Sequence, residues 1–345
     1  MLAQNSLWDI NNNLRRLDKA QQKMTTQSKI QLPSDDPIVA TRSLKYRNYV
    51  ASMAQYQRNV DDATSWMEVS DSALGQLNEV IQRVRELTVQ AANDTNSEER
   101  QKILSEVDNL KGSMIEIMNT SYAGRYIFGG FKTDQPPYRI ESTPLGDKVL
   151  YKGQYVSLGG PMEDILVDSD IINYCEAHFN EQYKEVGKHK MNYNIGFGGQ
   201  INVNVEGQDI VGQELENNLF DVIDKLMLGL NGHGQYKVAE ISGNPPTVNV
   251  QTKDLDLDGL LGELDKASNR MLTARADLGA RMNYVEKSND RIDSDYNTYV
   301  TLLSQNEDVD VAQASIEAKS AEYTYNASLT VGMKAITQSL IDYLK

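Results

Sequence analysis

Residues 254–259 carry a carboxylate at every second position before a glycine, which is how a calcium-binding loop begins. The twelfth position of such a loop supplies a bidentate carboxylate. Here it is Asp265, whose short side chain reaches that pose poorly. Helical spacing that begins at Leu260 also runs through the second half of the loop. We therefore interpret the acidic run as the start of a helix, where carboxylates interact favourably with the helix dipole.

Cysteine and histidine do not form a metal-binding pattern in this sequence. Cys175 is the single cysteine and His178 follows it by three residues, but neither a second cysteine nor a close pair of histidines completes a zinc set. A lone cysteine also forms no intramolecular disulfide. We predict a fold that needs neither metal nor disulfide.

The patterns of common enzymes are also missing from the sequence. The glycines of residues 196–199 lack the downstream lysine of a phosphate loop and precede a strand, so we interpret them as a turn. The sequence holds no Gly-x-Ser-x-Gly turn, and its carboxylates are spread along helices. We predict no catalytic residue and no cofactor. A calcium-binding or enzymatic insert stays a less favoured alternative.

Charge and hydropathy limit the classes of partner. The 345 residues include 34 Lys and Arg against 49 Asp and Glu, a net charge of −15 without a long basic run. Nucleic acid and anionic membranes are therefore not expected partners. No stretch approaches the roughly 18 apolar residues that span a bilayer. A mean hydropathy of −0.52 suits long helices with narrow apolar stripes better than a compact globule.

The amino-terminal part has the pattern of three helices. Apolar residues at steps of three and four predict a first helix with a seam through Leu7, Ile10, Leu14 and Leu17. Asp36, followed by Pro37, is the expected cap of a second helix that continues without proline to about residue 93. Asn96 is the expected cap of a third, antiparallel to the second.

The middle and the carboxyl-terminal part differ in pattern. Alternation of apolar and polar residues around Ile201–Val205, with a proline pair at each border, predicts short strands interrupted by one helix at residues 219–227. Helical spacing returns after about residue 255. The last helix has a seam through Met333, Ile336, Leu340 and Tyr343.

These segments together predict a mainly α fold with an α+β insert. A bundle of long helices is formed by both chain ends, and a β-rich domain is inserted between them. The expected divisions are residues 1–32 (amino-terminal assembly helix), 33–137 (first part of the bundle), 138–251 (β-rich insert), 252–308 (second part of the bundle) and 309–345 (carboxyl-terminal assembly helix).

Several stretches resemble the bacterial flagellin superfamily, and they occur in the order found in that family. They are Ser34-Asp35-Asp36-Pro37, Ala274-Arg275-Ala276-Asp277-Leu278-Gly279-Ala280-Arg281-Met282-Asn283 and Ser339-Leu340-Ile341-Asp342-Tyr343-Leu344. Residues 124–131 (Gly-Arg-Tyr-Ile-Phe-Gly-Gly-Phe) with Pro136-Pro137-Tyr138 are similar to the hook–filament junction proteins of the family rather than to its filament flagellins.

The resemblance implies a structural subunit of the extracellular bacterial flagellum that is exported unfolded by the flagellar type III apparatus. It implies packing against neighbouring copies through the two terminal seams. The implied partners are a hook-associated protein on the hook side, flagellin on the filament side and an export chaperone. A filament-forming flagellin is the alternative within the family.

Overall fold

A computed structural model describes residues 2–93, 96–183, 189–212, 218–242 and 247–343, with side chains from Gln4 to Lys334 except that of Ser242. Most of these residues are helical. The helices are α1 (Leu2–Thr26), α2 (Pro37–Ala92), α3 (Ser97–Met118), α4 (Asp168–Ala177), α5 (Gly207–Val211), α6 (Leu219–Leu230), α7 (Leu257–Glu307) and α8 (Val311–Tyr343). The predicted mainly α fold with a β-containing middle is confirmed. None of the described helices is both long and apolar enough to cross a membrane.

The predicted helix starts are confirmed by their capping bonds. The Asp36 carboxylate accepts the backbone N–H groups of Ile38 and Val39, at 2.9 and 3.0 Å, immediately before α2. Asn96 accepts the N–H of Glu99 at 2.9 Å and caps α3. Both bonds satisfy backbone donors that a helix leaves free in its first turn.

The chain forms two compact units. The terminal unit comprises residues 1–57 and 290–345, and the central unit comprises residues 58–289.

In the central unit α2 and α7 run antiparallel. Arg275 forms a two-bond ion pair with Asp71, at 2.7 and 3.0 Å, and Arg85 pairs with Asp265 at 2.8 Å. Between the helices lies an apolar core whose members are almost fully buried: Met67, Leu74, Leu77, Ile81, Val84, Leu264, Met271 and Leu278. Five of these residues lie along one stripe of α2, which explains how a helix of 56 residues is stabilised.

α3 joins the bundle beside α2 and α6. Arg83 of α2 contacts Glu106 of α3 at 2.7 Å. Lys111 of α3 is 4% exposed and pairs with Asp224 of α6 at 2.5 Å. Arg83 lies nine residues before the end of α2 and Glu106 lies nine residues after the start of α3, so the two helices are antiparallel, as predicted.

Asp221 of α6 is an acid in the interior of the central unit. It is 3% exposed, and its Oδ2 has no hydrogen-bond partner among the described residues. Burial disfavours the ionised form and raises the pKa of Asp221 to about 8, although nearby Lys148 acts in the opposite direction. Burial in turn lowers the pKa of Lys148.

The middle of the chain contains short antiparallel strands. They are β1 (Ser121–Tyr122), β2 (Arg125–Tyr126), β3 (Tyr138–Thr143), β4 (Gly146–Tyr151), β5 (Gln154–Tyr155), β6 (Met162–Glu163), β7 (Asn192–Asn194), β8 (Gln200–Asn202), β9 (Gln235–Ser242) and β10 (Thr247–Asp254). They form the sheets β1–β2, β3–β4–β5, β10–β9–β6 and β7–β8.

Two sequence predictions for the middle need correction. The alternation around Ile201–Val205 predicts a strand through residue 205, but β8 ends at Asn202. The prediction of a single interrupting helix is also wrong, because α4 and the one-turn α5 accompany α6. α4 buries Ile171 and Cys175 against the sheet β10–β9–β6. Two buried positions in a helix of ten residues give too short a pattern to be recognised from the sequence.

Candidate assembly interface

In the terminal unit α1 and α8 lie side by side and antiparallel. A Cβ atom on Gly332 would be 2.8 Å from Cδ1 of Ile10, and the Ser315 hydroxyl is 3.8 Å from the sulfur of Met24. Ala314 and Ala318 are buried on the same pair. Small residues on α8 therefore let α1 approach closely.

The predicted seam of α1 is divided between two sides of the helix. Ile10 and Leu17 are half-buried, whereas Leu7 and Leu14 remain 52% and 44% exposed. A seven-residue repeat indicates which residues share a helix stripe but does not indicate how much of that stripe one partner covers. Leu7 and Leu14 therefore lie on apolar surface that α8 leaves open.

The predicted seam of α8 is only partly described. Met333 is 63% exposed, while the side chains of Ile336, Leu340 and Tyr343 lie outside the described residues. The role of all eight seam residues in assembly stays a prediction.

Further apolar side chains in the terminal unit are exposed although the sequence analysis did not select them. Trp8 of α1 is 68% exposed, and on α8 Ile316, Tyr323 and Val331 are 69%, 76% and 64% exposed. The spacing of seven residues between Ile316 and Tyr323 is a signal that could have been found. It was missed because the carboxyl-terminal stripe was traced only over the last three turns.

A narrow groove of about 360 Å³ lies between α1 and α8. Arg16 and Glu317 stand on its rim, and Ile316 lines it together with small and polar residues of α8. A groove with an apolar wall and charged edges can receive a side chain from another molecule.

The segments that connect α1 to α2 and α7 to α8 are bonded to each other. Ser28 and Asp308 form an antiparallel bridge. The N–H of Lys29 donates to Glu307 O at 2.7 Å, and the N–H of Val309 donates to Gln27 O at 2.9 Å. These bonds fix one end of the α1–α8 pair, the end at which α1 finishes and α8 begins.

Asp35 stabilises the turn before α2. Its carboxylate accepts the backbone N–H of Leu32 and of Gln31 and forms an ion pair with Lys19 of α1 at 3.1 Å. The hydrogen bond from Leu32, followed by those from Lys19 and Gln31, lowers the pKa of Asp35. Because the carboxylate is exposed, this ion pair contributes little to stability.

The alternative sites take ordinary structural roles. Asp256 accepts the N–H of Asp258 at the start of α7, and Asp265 lies within that helix and pairs with Arg85. His178 stacks on Tyr174 and is 2.9 Å from the Tyr174 carbonyl oxygen. The part of the chain that the structure describes holds no group of three His, Cys, Asp or Glu side chains placed to bind a metal.

A cavity of about 950 Å³ lies between α7 and residues 189–209. Arg281 donates to Asn202 and Asn204 at one end of it, and Arg270 donates to Val211 O at 3.3 Å at the other. These bonds attach the insert to the bundle. Charged residues of both signs line the cavity without forming a catalytic arrangement among the described side chains.

Comparison with known families decides how this architecture is classified. The model of the bacterial flagellin N-terminal helical region matches residues 1–133, and that of the bacterial flagellin C-terminal helical region matches residues 261–344. The chain belongs to the bacterial flagellin superfamily. Together the two flagellin regions contain all of α1–α3 and α8 and most of α7.

Individual relatives are found among hook-associated proteins and flagellins. Flagellar hook-associated protein 3 of Escherichia coli is 27% identical over 301 residues, which are 86% of this chain and 82% of that protein. Flagellin of Bacillus subtilis is 23% identical over 339 residues, 97% of this chain and 92% of that protein.

The fold also resembles solved structures of flagellar proteins. A flagellar hook-associated protein from Vibrio parahaemolyticus superposes with a TM-score of 0.58 at 16% identity, over 79% of this chain and 100% of that one. The flagellar junction protein FlgL from Legionella pneumophila gives a TM-score of 0.50 at 13% identity over the same shares. These likenesses show that the flagellin-type fold is shared.

Proposed function

We propose that this protein is a structural subunit of the bacterial flagellum that joins the hook to the filament. Its similarity to hook-associated protein 3 over most of both chains supports the junction role over that of a filament subunit, since the flagellin match is longer but less identical. The proposed partners are neighbouring copies, a hook-associated protein on the hook side, flagellin on the filament side and an export chaperone. No catalytic activity is part of the proposal.

The observation that carries this function is the distribution of exposed apolar side chains. Of 21 large apolar side chains that are exposed among the described residues, 13 belong to the terminal unit. That unit has only 113 of the 345 residues. Concentrated apolar exposure marks an interaction surface, and α1 and α8 supply nine of the 13 side chains.

We infer that assembly covers this surface with the same helices of neighbouring subunits. Leu7, Leu14, Ile316 and Met333 are then buried between copies, as Ile336, Leu340 and Tyr343 are proposed to be. Ile10 and Leu17 serve within one copy by fixing α1 against α8. In the same proposal residues 138–251 form the inserted domain and do not contribute to this contact.

A matched pair of substitutions tests the role of the surface. Ile316→Asp places a charge on α8, at a side chain that is 69% exposed in the single subunit. Ile165→Asp makes the same change in the insert, where the side chain is 73% exposed. Neither substitution removes a buried contact of the isolated subunit, so both variants should keep its helix content in circular dichroism and differ from the unsubstituted protein in stability by at most about 0.5 kcal/mol.

The two variants should differ in cells that lack the unsubstituted protein. Ile316→Asp should abolish swimming and release flagellin into the medium, because burial of an unpaired charge costs a few kcal/mol per contact. Ile165→Asp should swim normally. Equal swimming by both variants, with full-length filaments, would remove the α1–α8 surface from the mechanism.

A further inference from the structure

The charge of this chain is divided unevenly between the two units. Residues 58–289 contain 22 basic and 36 acidic residues, a net charge of −14, so the terminal unit retains only −1 of the total. Central units of adjacent copies must repel one another, while terminal units are nearly neutral overall. The terminal unit is therefore the part of the molecule that can approach its copy at little electrostatic cost.

Within the terminal unit the two chain segments have opposite signs. Residues 1–57 contain eight basic and four acidic residues, a net charge of +4. Residues 290–345 contain four basic and nine acidic residues, a net charge of −5. A surface that is neutral in total but divided in this way is complementary to a second copy of itself.

Few of these charges are neutralised inside one subunit. Lys19 pairs with Asp35, and Arg47 pairs with Glu307 at 2.7 Å. Other charged side chains are exposed and form no ion pair with a described residue: on the basic segment Arg15, Arg16, Arg42 and Lys45, and on the acidic segment Asp290, Glu317 and Glu322.

We propose that neighbouring copies associate with the basic segment of one copy (α1 and the part of α2 up to residue 57) facing the acidic segment of the next (α8 and the part of α7 from residue 290). This inference rests on the proposed function. It adds which surface of one subunit contacts which surface of the next, and we call this pairing the charge order. A contact between two different surfaces is heterologous, so it can continue from copy to copy around a ring. The exposed apolar residues supply most of the affinity, and the charges fix the direction of packing.

The charge order is tested by reversing the charges of each segment separately and then of both segments together, which should restore binding. One variant carries Arg15→Glu and Arg42→Glu, and a second carries Asp290→Arg and Glu322→Arg. A third carries all four substitutions. Each protein is added to hooks isolated from cells that lack it, and the hook-bound protein is counted after sedimentation; circular dichroism verifies that each variant is folded.

The two controls make equal changes of charge at exposed positions of the central unit. Lys102→Glu with Lys132→Glu matches the first variant, and Glu176→Arg with Glu240→Arg matches the second. Both should bind hooks like the unsubstituted protein, within about twofold, a difference of roughly 0.4 kcal/mol.

The first and second variants should each lose about tenfold or more of the hook-bound protein. The first reduces the net charge of residues 1–57 from +4 to 0, and the second reduces that of residues 290–345 from −5 to −1, so the attraction between copies is lost. The fourfold variant should recover most of it, since carboxylates at positions 15 and 42 of one copy then face guanidinium groups at positions 290 and 322 of the next. An equimolar mixture of the first two should also recover, by alternating around the ring.

Full binding by the first and second variants would overturn the charge order while leaving the proposed function intact. Failure of the folded fourfold variant and of the mixture to recover would overturn it as well. If the unsubstituted protein itself does not bind hooks, the proposed function fails and this inference fails with it.

Discussion

At the scale of single residues, Asp221 has an ionisation that depends strongly on folding. Its pKa is raised to about 8 by burial, against a model-peptide value of 3.8 in the unfolded chain. The folded protein therefore holds a proton that the unfolded chain releases between these two values. Stability from this group is fully present at low pH and is lost as the pH rises through the window from about 4 to 8.

Asp221→Asn should remove that dependence, because the amide is neutral at every pH and nearly isosteric with the protonated acid. At pH 8.5 the variant should be more stable than the unsubstituted protein by about 1 kcal/mol or more, given 1.4 kcal/mol per pKa unit. The gain should shrink towards pH 5. Urea unfolding of both proteins from pH 5 to 8.5 measures the difference.

A variant whose gain in stability does not change over that pH range would contradict the assigned ionisation. Asp224→Asn is not a suitable control, since that carboxylate pairs with Lys111. Asp61→Asn is suitable, because Asp61 is exposed on α2 and should change the unfolding free energy by less than about 0.5 kcal/mol at every pH.

At the scale of elements, the sequence predicts best the features that depend on neighbouring residues. Asp36 and Asn96 cap the helices that follow them because a polar side chain before a helical pattern has a local partner in the first turn. The course of α2 follows from an apolar stripe that proline does not interrupt.

Features that depend on distant partners could not be predicted in the same way. The side of α1 that carries Ile10 contacts α8 because Gly332 leaves space there, more than 300 residues later in the chain. No periodicity within α1 distinguishes this side from that of Leu7 and Leu14. α4 was missed for a related reason. Its buried residues, Ile171 and Cys175, pack against β9 and β10, which lie far away in the sequence.

The same Leu→Ala substitution should lower the unfolding free energy much more at a buried position of α7 than at an exposed position of that helix. Leu278 of α7 is fully buried, and Leu272 of the same helix is 43% exposed. Leu278→Ala should cost about 2–5 kcal/mol of unfolding free energy, through lost burial and the cavity left behind. Leu272→Ala should cost less than about 0.5 kcal/mol.

Denaturation in urea measures both values from the midpoint and slope of the transition. Equal losses for the two substitutions would mean that α7 does not use this face to pack against α2. That result would remove the basis for treating the central part of the fold as an antiparallel bundle.

At the scale of the whole molecule, the two units differ in burial and in charge. The central unit holds most of the fully buried apolar side chains, while the terminal unit holds most of the exposed ones. In the proposed assembly, α1 and α8, which cover each other only in part, gain the rest of their burial by association. The central unit is strongly acidic and the terminal unit is nearly neutral, which agrees with the proposal that copies associate through the chain ends.

The junction role requires that the protein be a minor component of the flagellum, whereas a filament subunit would be its major one. This difference tests the central claim most directly. Flagella isolated from the source cells can be separated from membranes, and the ratio of this protein to the most abundant filament protein can be measured by quantitative mass spectrometry. Antibody labelling in electron micrographs gives the position.

We predict a small, fixed number of copies per flagellum that does not increase with filament length, with label confined to the point where the hook ends and the filament begins. Deletion of the gene should leave hooks without filaments. Copies that increase in proportion to filament length, with label along the whole filament, would contradict the junction role and establish a filament subunit instead.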